Sequence, residues 1–235
     1  MLFINHKLNI TVVIHVFYSQ INREYHDFLM NSYLTILPKG LQKRILNYSK
    51  WEDAQLTLMG RILLMLGVET FYDMNEVKNF TFNYSEYNKP YLENLPVKFN
   101  ISHSGDIVVC ALLTFAEIGI DIEKIQPINV NEFKSQMTSN EWELISKSNN
   151  KLDAFYNYWT QKEAVLKALG MGLSFVLKSF EVKNSYAMVK GEFYSIKELN
   201  IDPNYKCHMA VKKNINHRDL KYRTINIDVS RLCNE

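Results

Sequence analysis

Three groups of residues in this chain have types and spacings that could carry chemistry. The first is the run Gly119-Ile120-Asp121-Ile122-Glu123. The two-residue period of an extended strand sends Ile120 and Ile122 to one face and Asp121 and Glu123 to the other. Neighbouring carboxylates repel and gain little from burial, so they belong either in open solvent or around a cation. A solvated face and a site for a hard divalent cation are both open at this point.

The second group lies in a helical stretch that Phe155, Tyr156, Tyr158, Trp159, Ala164, Val165, Leu166, Ala168 and Leu169 make apolar on nearly every side. Such a helix is expected to be buried. Lys162, Glu163 and Lys167 sit inside it, and charges there are costly unless paired or bound to metal. An i,i+4 ion pair between Glu163 and Lys167 is one solution. Joining Glu163 to Asp121 and Glu123 is the other. Three carboxylates, with waters and phosphate oxygens, make the oxygen shell that Mg²⁺ prefers, and nearby lysines suit a polyphosphate. The second reading predicts chemistry at a diphosphate.

The third group is Asn100-Ile101-Ser102-His103-Ser104-Gly105, where strand alternation ends in a polar turn. A solvated histidine and an anion contact are both consistent with it. Zinc is not, because no second His or Cys lies at ligand spacing from His103. A serine nucleophile elbow would need G-x-S-x-G, which this run does not have, and the chain carries no P-loop and no dinucleotide fingerprint.

These groups need a scaffold, and 235 residues with 47% apolar content can bury a substantial core. The 27 basic and 25 acidic residues nearly cancel, so no overall field points to nucleic acid or an anionic membrane. Cys110, Cys207 and Cys233 are odd in number and widely spaced, the pattern of free thiols in a reducing cytoplasm. The apolar run 10–18 is too short to span a bilayer and reads as a strand; the residues before it read as an uninformative leader.

Ser49-x-x-Glu52 and Thr138-x-x-Glu141 have the form of capping boxes and predict helix starts near 50 and 139. The first helix is expected to run to about Leu66, with Gly67 stopping it, after a shorter helix over 41–48. Runs 99–102, 107–114 and 118–123 read as an antiparallel meander. A long helix over 152–169 ends at Gly170, and the tail 180–229 alternates like strands. Helix and strand blocks occur twice, which makes the chain α+β.

Taken together, Tyr87-Asn88-Lys89-Pro90, then Phe99-Asn100-Ile101-Ser102-His103-Ser104, then Gly119-Ile120-Asp121-Ile122-Glu123, then Trp159-Thr160-Gln161-Lys162-Glu163-Ala164-Val165-Leu166-Lys167 resemble the 4'-phosphopantetheinyl transferases of the surfactin-synthetase-activating type. The likeness extends over about 38–182. It implies a monomeric pseudodimer of two similar α+β halves, here 1–115 and 116–235, with coenzyme A and Mg²⁺ in the cleft between them. Asp121, Glu123 and Glu163 are the implied Mg²⁺ ligands, and Lys167, with Lys162 nearby, is expected to neutralise the coenzyme A diphosphate. Ser102, His103, Lys89 and Thr57 match coenzyme A contacts, and Lys43 or Arg44 is expected to meet the 3'-phosphate. Asn88 stands where the family commonly has Gly, and Asn tolerates the left-handed conformation that such a turn requires.

The implied reaction is attack of a serine hydroxyl of an acyl or peptidyl carrier protein on the β-phosphate of coenzyme A, with 3',5'-ADP leaving. Positioning and charge stabilisation would do most of the work. Glu163, a metal-bound water and Glu141 are all open as the base. A Mg²⁺-dependent hydrolase of the coenzyme A diphosphate and a non-catalytic coenzyme A or carrier-protein binding module are the rival readings. No nucleic acid or membrane partner is expected, and a cytoplasmic location is.

Overall fold

The computed structural model of the protein describes residues 13–69, 81–172, 175–212 and 221–233. Within the run expected as the first strand, β1 (Val13–Gln20) is formed, with 10–12 and the expected leader outside the described residues. The helix expected over 41–48 is α2 (Lys39–Leu46), which follows α1 (His26–Tyr33) and precedes the long α3 (Trp51–Glu69). Gly67 does not stop α3. It lies inside the helix, where a Cβ would come within 2.6 Å of Leu112 Cδ1, so its smallness serves packing.

The next strands are β2 (Phe82–Tyr84) and β3 (Pro90–Leu92), a small hairpin whose turn puts Asn88 at φ 61°. Then come β4 (Lys98–Ser104), β5 (Ile107–Leu113) and β6 (Ile118–Lys124). These three do not form a meander. β4 and β5 pair antiparallel, but β6 leaves for another sheet and pairs with β10 (Tyr205–Lys212), about eighty residues further along the chain.

The first sheet has the order β11-β1-β5-β4, and its outer strand β11 (Lys221–Asn226) runs parallel to β1. The C-terminal part of the chain thus returns to the first half, across the 115/116 division. The second sheet has the order β6-β10-β9-β8-β7, with β7 (Val182–Lys183), β8 (Tyr186–Val189) and β9 (Glu192–Glu198) all antiparallel. The capping box at Thr138 is formed and opens α4 (Ser139–Lys147); α5 (Lys151–Leu169) follows, and α6 (Val229–Leu232) ends the described chain.

Alternation within the strands sorts side chains into layers. Phe17, Phe99, Val108, Cys110 and Leu112 bury one face of the first sheet against Leu56, Met59 and Leu63 of α3. Its other face, with Ile14, Val16, Val109 and Leu113, meets Ile118, Ile120, Ile122, Met209 and Val211 of the second sheet. Beyond that sheet, Ala187, Val189, Tyr194 and Ile196 pack against Ala164, Val165 and Ala168 of α5. The result is helix, sheet, sheet, helix: two α+β halves back to back. Cys110, Cys207 and Cys233 are all free thiols.

Candidate active site

The site forms where α5 crosses β6. Asn150 caps the helix by accepting from Asp153 N–H at 3.1 Å, and Gly170 ends it in the left-handed conformation at φ 75°. Gly119 sets the closeness of approach: a Cβ there would lie 2.1 Å from Ala164 O and 2.3 Å from Ala168 N. With Ile120 and Ile122 turned into the core between the sheets, Asp121 and Glu123 point toward α5. Glu163 and Lys167 stand above them.

The ammonium of Lys167 donates to Asp121 Oδ1 at 2.5 Å and to Ser102 Oγ at 2.8 Å. Ser102 Oγ in turn donates to Asp121 Oδ1 at 3.1 Å. Asp121 is only 3% exposed, which excludes the solvated-face reading for it, and its Oδ2 is buried without a hydrogen-bond partner. Glu123 Oε2 accepts from Ser104 Oγ at 2.7 Å. Glu163 does not form the i,i+4 pair with Lys167, whose ion-pair partner is Asp121.

Burial raises the pKa of Asp121, against the opposing pull of Lys167 and Ser102. Glu163 is raised first by burial and then by Asp121, with Glu123 adding to it. Glu123 is likewise raised by burial and by Asp121, with Ser104 opposing. Three carboxylates therefore destabilise one another's charge, with one lysine set against them. Among the described residues no group of three or more His, Cys, Asp or Glu closes into a ready-made metal cage. Mg²⁺ does not require one, since it keeps several waters and takes only one or two carboxylates plus substrate phosphates.

His103, at the exposed end of β4, has a lowered pKa, first from desolvation and then from Lys167, with Arg44 adding to it. Arg44 Nε donates to Tyr48 Oη at 3.3 Å, and Thr57 Oγ1 donates to the same oxygen at 3.4 Å. Arg44, Tyr48 and Thr57 thus form one connected group on the His103 side. Lys43 is exposed and outside that group.

Three expectations are corrected. Lys162 does not face the cleft: it is fully buried, and its ammonium gives Glu141 Oε1 a bond of 2.8 Å, Glu141 Oε2 one of 2.7 Å and Phe180 O one of 2.7 Å. All three of its donors are used, so none is left for a phosphate. Glu141 is 1% exposed and also accepts from Thr138 N–H and Val182 N–H, both at 2.9 Å, which removes it as a base. Lys89 is similarly engaged: its ammonium reaches Glu117 Oε2 at 3.0 Å, Ala168 O at 3.2 Å and Ile118 O at 3.4 Å, strapping the β2–β3 hairpin to the end of α5. Sequence reasoning passed over Ser104. Its signal was present, since Ser104 follows Ser102 by two as Glu123 follows Asp121.

The chain folds as two α+β halves with a cluster of carboxylates and a lysine at their seam, and the family comparisons agree with this architecture. Residues 24–114 match the model of the 4'-phosphopantetheinyl transferase N-terminal domain, and residues 117–214 match that of the 4'-phosphopantetheinyl transferase superfamily. The chain belongs to the 4'-phosphopantetheinyl transferase family. It is 37% identical over 186 residues to 4'-phosphopantetheinyl transferase Sfp of Bacillus subtilis (strain 168), covering 75% of this chain and 81% of that one. The 4'-phosphopantetheinyl transferase gsp of Aneurinibacillus migulanus is 31% identical over 198 residues, 80% of each chain. A Xenopus laevis L-aminoadipate-semialdehyde dehydrogenase-phosphopantetheinyl transferase matches at 36% over 44% of this chain and 38% of its own length.

Proposed function

We propose that this enzyme transfers the phosphopantetheine arm of coenzyme A to a serine of a carrier protein at the seam between α5 and β6, with Mg²⁺ held by Asp121, Glu123 and Glu163. One observation carries the reading: Asp121 is buried with Oδ2 unpartnered, and beside it burial and the charge of Asp121 raise the pKa of both Glu123 and Glu163. A buried, unpaired carboxylate oxygen amid like charge is costly unless a cation joins it, and an all-oxygen donor set fits a hard cation. When bound, Mg²⁺ supplies charge neutralisation and polarisation of the diphosphate.

The protein's own groups do the rest. Lys167 is held at two of its three donors by Asp121 and Ser102, which leaves the third for a phosphate oxygen. Its positive charge offsets the charge that develops on the departing 3',5'-ADP. His103 and Arg44 stand together beyond it and suit the 3'-phosphate, with the Arg44–Tyr48–Thr57 group steadying the guanidinium. Thr57 joins that group through Tyr48 Oη. With Glu141 spent inside the core, Glu163 or a water on the cation is left to take the proton of the attacking serine. Lys89 supports the site by holding the end of α5 in place.

The test is intact-mass spectrometry of an apo carrier protein incubated with coenzyme A, Mg²⁺ and this enzyme. The expected result is a mass gain of one phosphopantetheine, lost with EDTA and with Glu163→Ala. Full transfer in EDTA would overturn the metal site, and no transfer to any of several carriers would overturn the transferase reading.

A further inference from the structure

The strands β4 and β6 face each other across the seam but share no backbone ladder, because each is the edge of a different sheet. One edge of β6 pairs with β10, which leaves the N–H groups of its other edge in need of acceptors. The side chains of β4 provide them. Asn100 Oδ1 accepts from Ile120 N–H at 2.9 Å, Ser102 Oγ from Ile122 N–H at 3.4 Å and Ser104 Oγ from Lys124 N–H at 3.1 Å. Each rung advances two residues on both strands, so one polar face of β4 stands in for the missing backbone partner.

The same hydroxyls then turn to the carboxylates. Ser102 Oγ donates to Asp121 Oδ1, and Ser104 Oγ donates to Glu123 Oε2. A hydroxyl has one donor and two acceptor positions, so Ser104 can hold the Lys124 amide and the Glu123 carboxylate at once. The register of β6 and the aim of its two acids are therefore fixed by the same atoms. A one-residue slip of a strand turns its side chains to the opposite face, which would carry both acids away from α5.

From this we infer that Ser104 is a positioning residue for Glu123, the last rung of an Asn100-Ser102-Ser104 side-chain ladder that locks the two halves in the register the reaction needs. The inference rests on the metal-site reading for its effect on catalysis, but the ladder itself stands on hydrogen bonds within the protein. Ser104 acts through Glu123 and the β6 edge. It is placed to orient a carboxylate as outer-shell partners orient metal ligands.

The experiment compares wild type, Ser104→Ala and Ser104→Thr, the last keeping the hydroxyl. Amide hydrogen exchange reads the ladder without metal or substrate: the Lys124 amide should exchange about 10-fold faster or more in Ser104→Ala, since it loses its acceptor, and recover in Ser104→Thr. Mn²⁺ binding in the presence of coenzyme A, followed by electron paramagnetic resonance of the free ion, should weaken about 10-fold or more in Ser104→Ala. The kcat should fall with it while the KM for coenzyme A holds, and Ser104→Thr should rescue both kcat and Mn²⁺ affinity. Unchanged exchange at Lys124 overturns the ladder. Faster exchange with wild-type Mn²⁺ affinity and kcat overturns the positioning role. A wild-type enzyme that binds no Mn²⁺ overturns the metal site instead, and amide exchange still decides the ladder.

Discussion

His208 is a histidine that folding keeps neutral. It is 3% exposed, its Nδ1 lies 2.7 Å from Thr160 Oγ1, and burial, with Lys206 adding to it, lowers its pKa to about 3. Thr160 already donates to Tyr156 O at 2.8 Å, so its oxygen is left to accept from Nδ1–H. A folded pKa below the unfolded value of about 6.5 means that the unfolded chain binds the extra proton first. The contribution of this group is fully present above pH 6.5 and is lost as pH falls toward 3. Between pH 7 and pH 5 that amounts to about 2 kcal/mol. Urea unfolding of wild type and His208→Gln at the two pH values should show the variant losing less stability on acidification by about this amount, and equal losses would refute the assignment.

Lys162 makes the same point about burial from the opposite side. Its apolar surroundings lower its pKa, with Glu141 opposing, so the pair is a partnered charge inside a core. Lys162→Met leaves Glu141 buried without its cation and should cost about 3–5 kcal/mol. If Lys162 touched coenzyme A, its loss would appear in the KM for coenzyme A. Instead, a large fall in melting temperature with an unchanged KM is expected from thermal unfolding and steady-state kinetics below the transition.

At the scale of elements, what could be read from sequence was what is local. The Thr138 capping box and the Gly170 stop of α5 depend on residues a few positions apart, and each is where the pattern put it, while the left-handed Asn88 was read through the family likeness. That Asp121 and Glu123 share one strand face and that Lys167 needed a partner was also legible, because a period of two assigns faces and a charge in an apolar helix demands a partner; Ser102 entered through the family likeness. The partner of β6 was not legible, since β10 lies some eighty residues away and nothing near 118–123 distinguishes a meander strand from the edge of a second sheet. Lys162 was misread for a related reason. Periodicity says which way a side chain points but not that Glu141 and Phe180 will be waiting there. Gly67 looked like a stop and is a packing position. Gly119 is the element-scale counterpart: Gly119→Ala drives a methyl into the backbone of α5 at Ala164 and Ala168, which no side-chain rotation can relieve. The helix must lift, carrying Glu163 and Lys167 off Asp121. Overpacking of this kind costs about 1–3 kcal/mol or more. The carrier-transfer assay should show activity falling well beyond the loss of folded protein measured by circular dichroism, whereas parallel losses would place the effect in stability alone.

At the scale of the whole molecule, the two halves share their cores as well as their cleft. The middle layer is built from Ile14, Val16, Val109 and Leu113 on one sheet and Ile120, Ile122, Met209 and Val211 on the other. Neither set can be buried without the other, and β11 carries the C-terminal part of the chain back to pair with β1. Separation would expose one face of each sheet, at about 25 cal/mol for every Å² of apolar surface returned to water. The halves should therefore unfold together. The tryptophans offer the test, because Trp51 packs in the first half while Trp142 and Trp159 pack in the second. A Trp51→Phe variant reports on the second half, and a Trp142→Phe/Trp159→Phe variant reports on the first. Allowing for any shift in overall stability caused by the substitutions themselves, each variant's fluorescence transition in urea should coincide with its own far-ultraviolet circular dichroism, as two-state unfolding requires. If the second-half tryptophans instead change at a separate urea concentration from the first, the shared core is not what holds the site together, and the seam between β4 and β6 would have to carry that role alone.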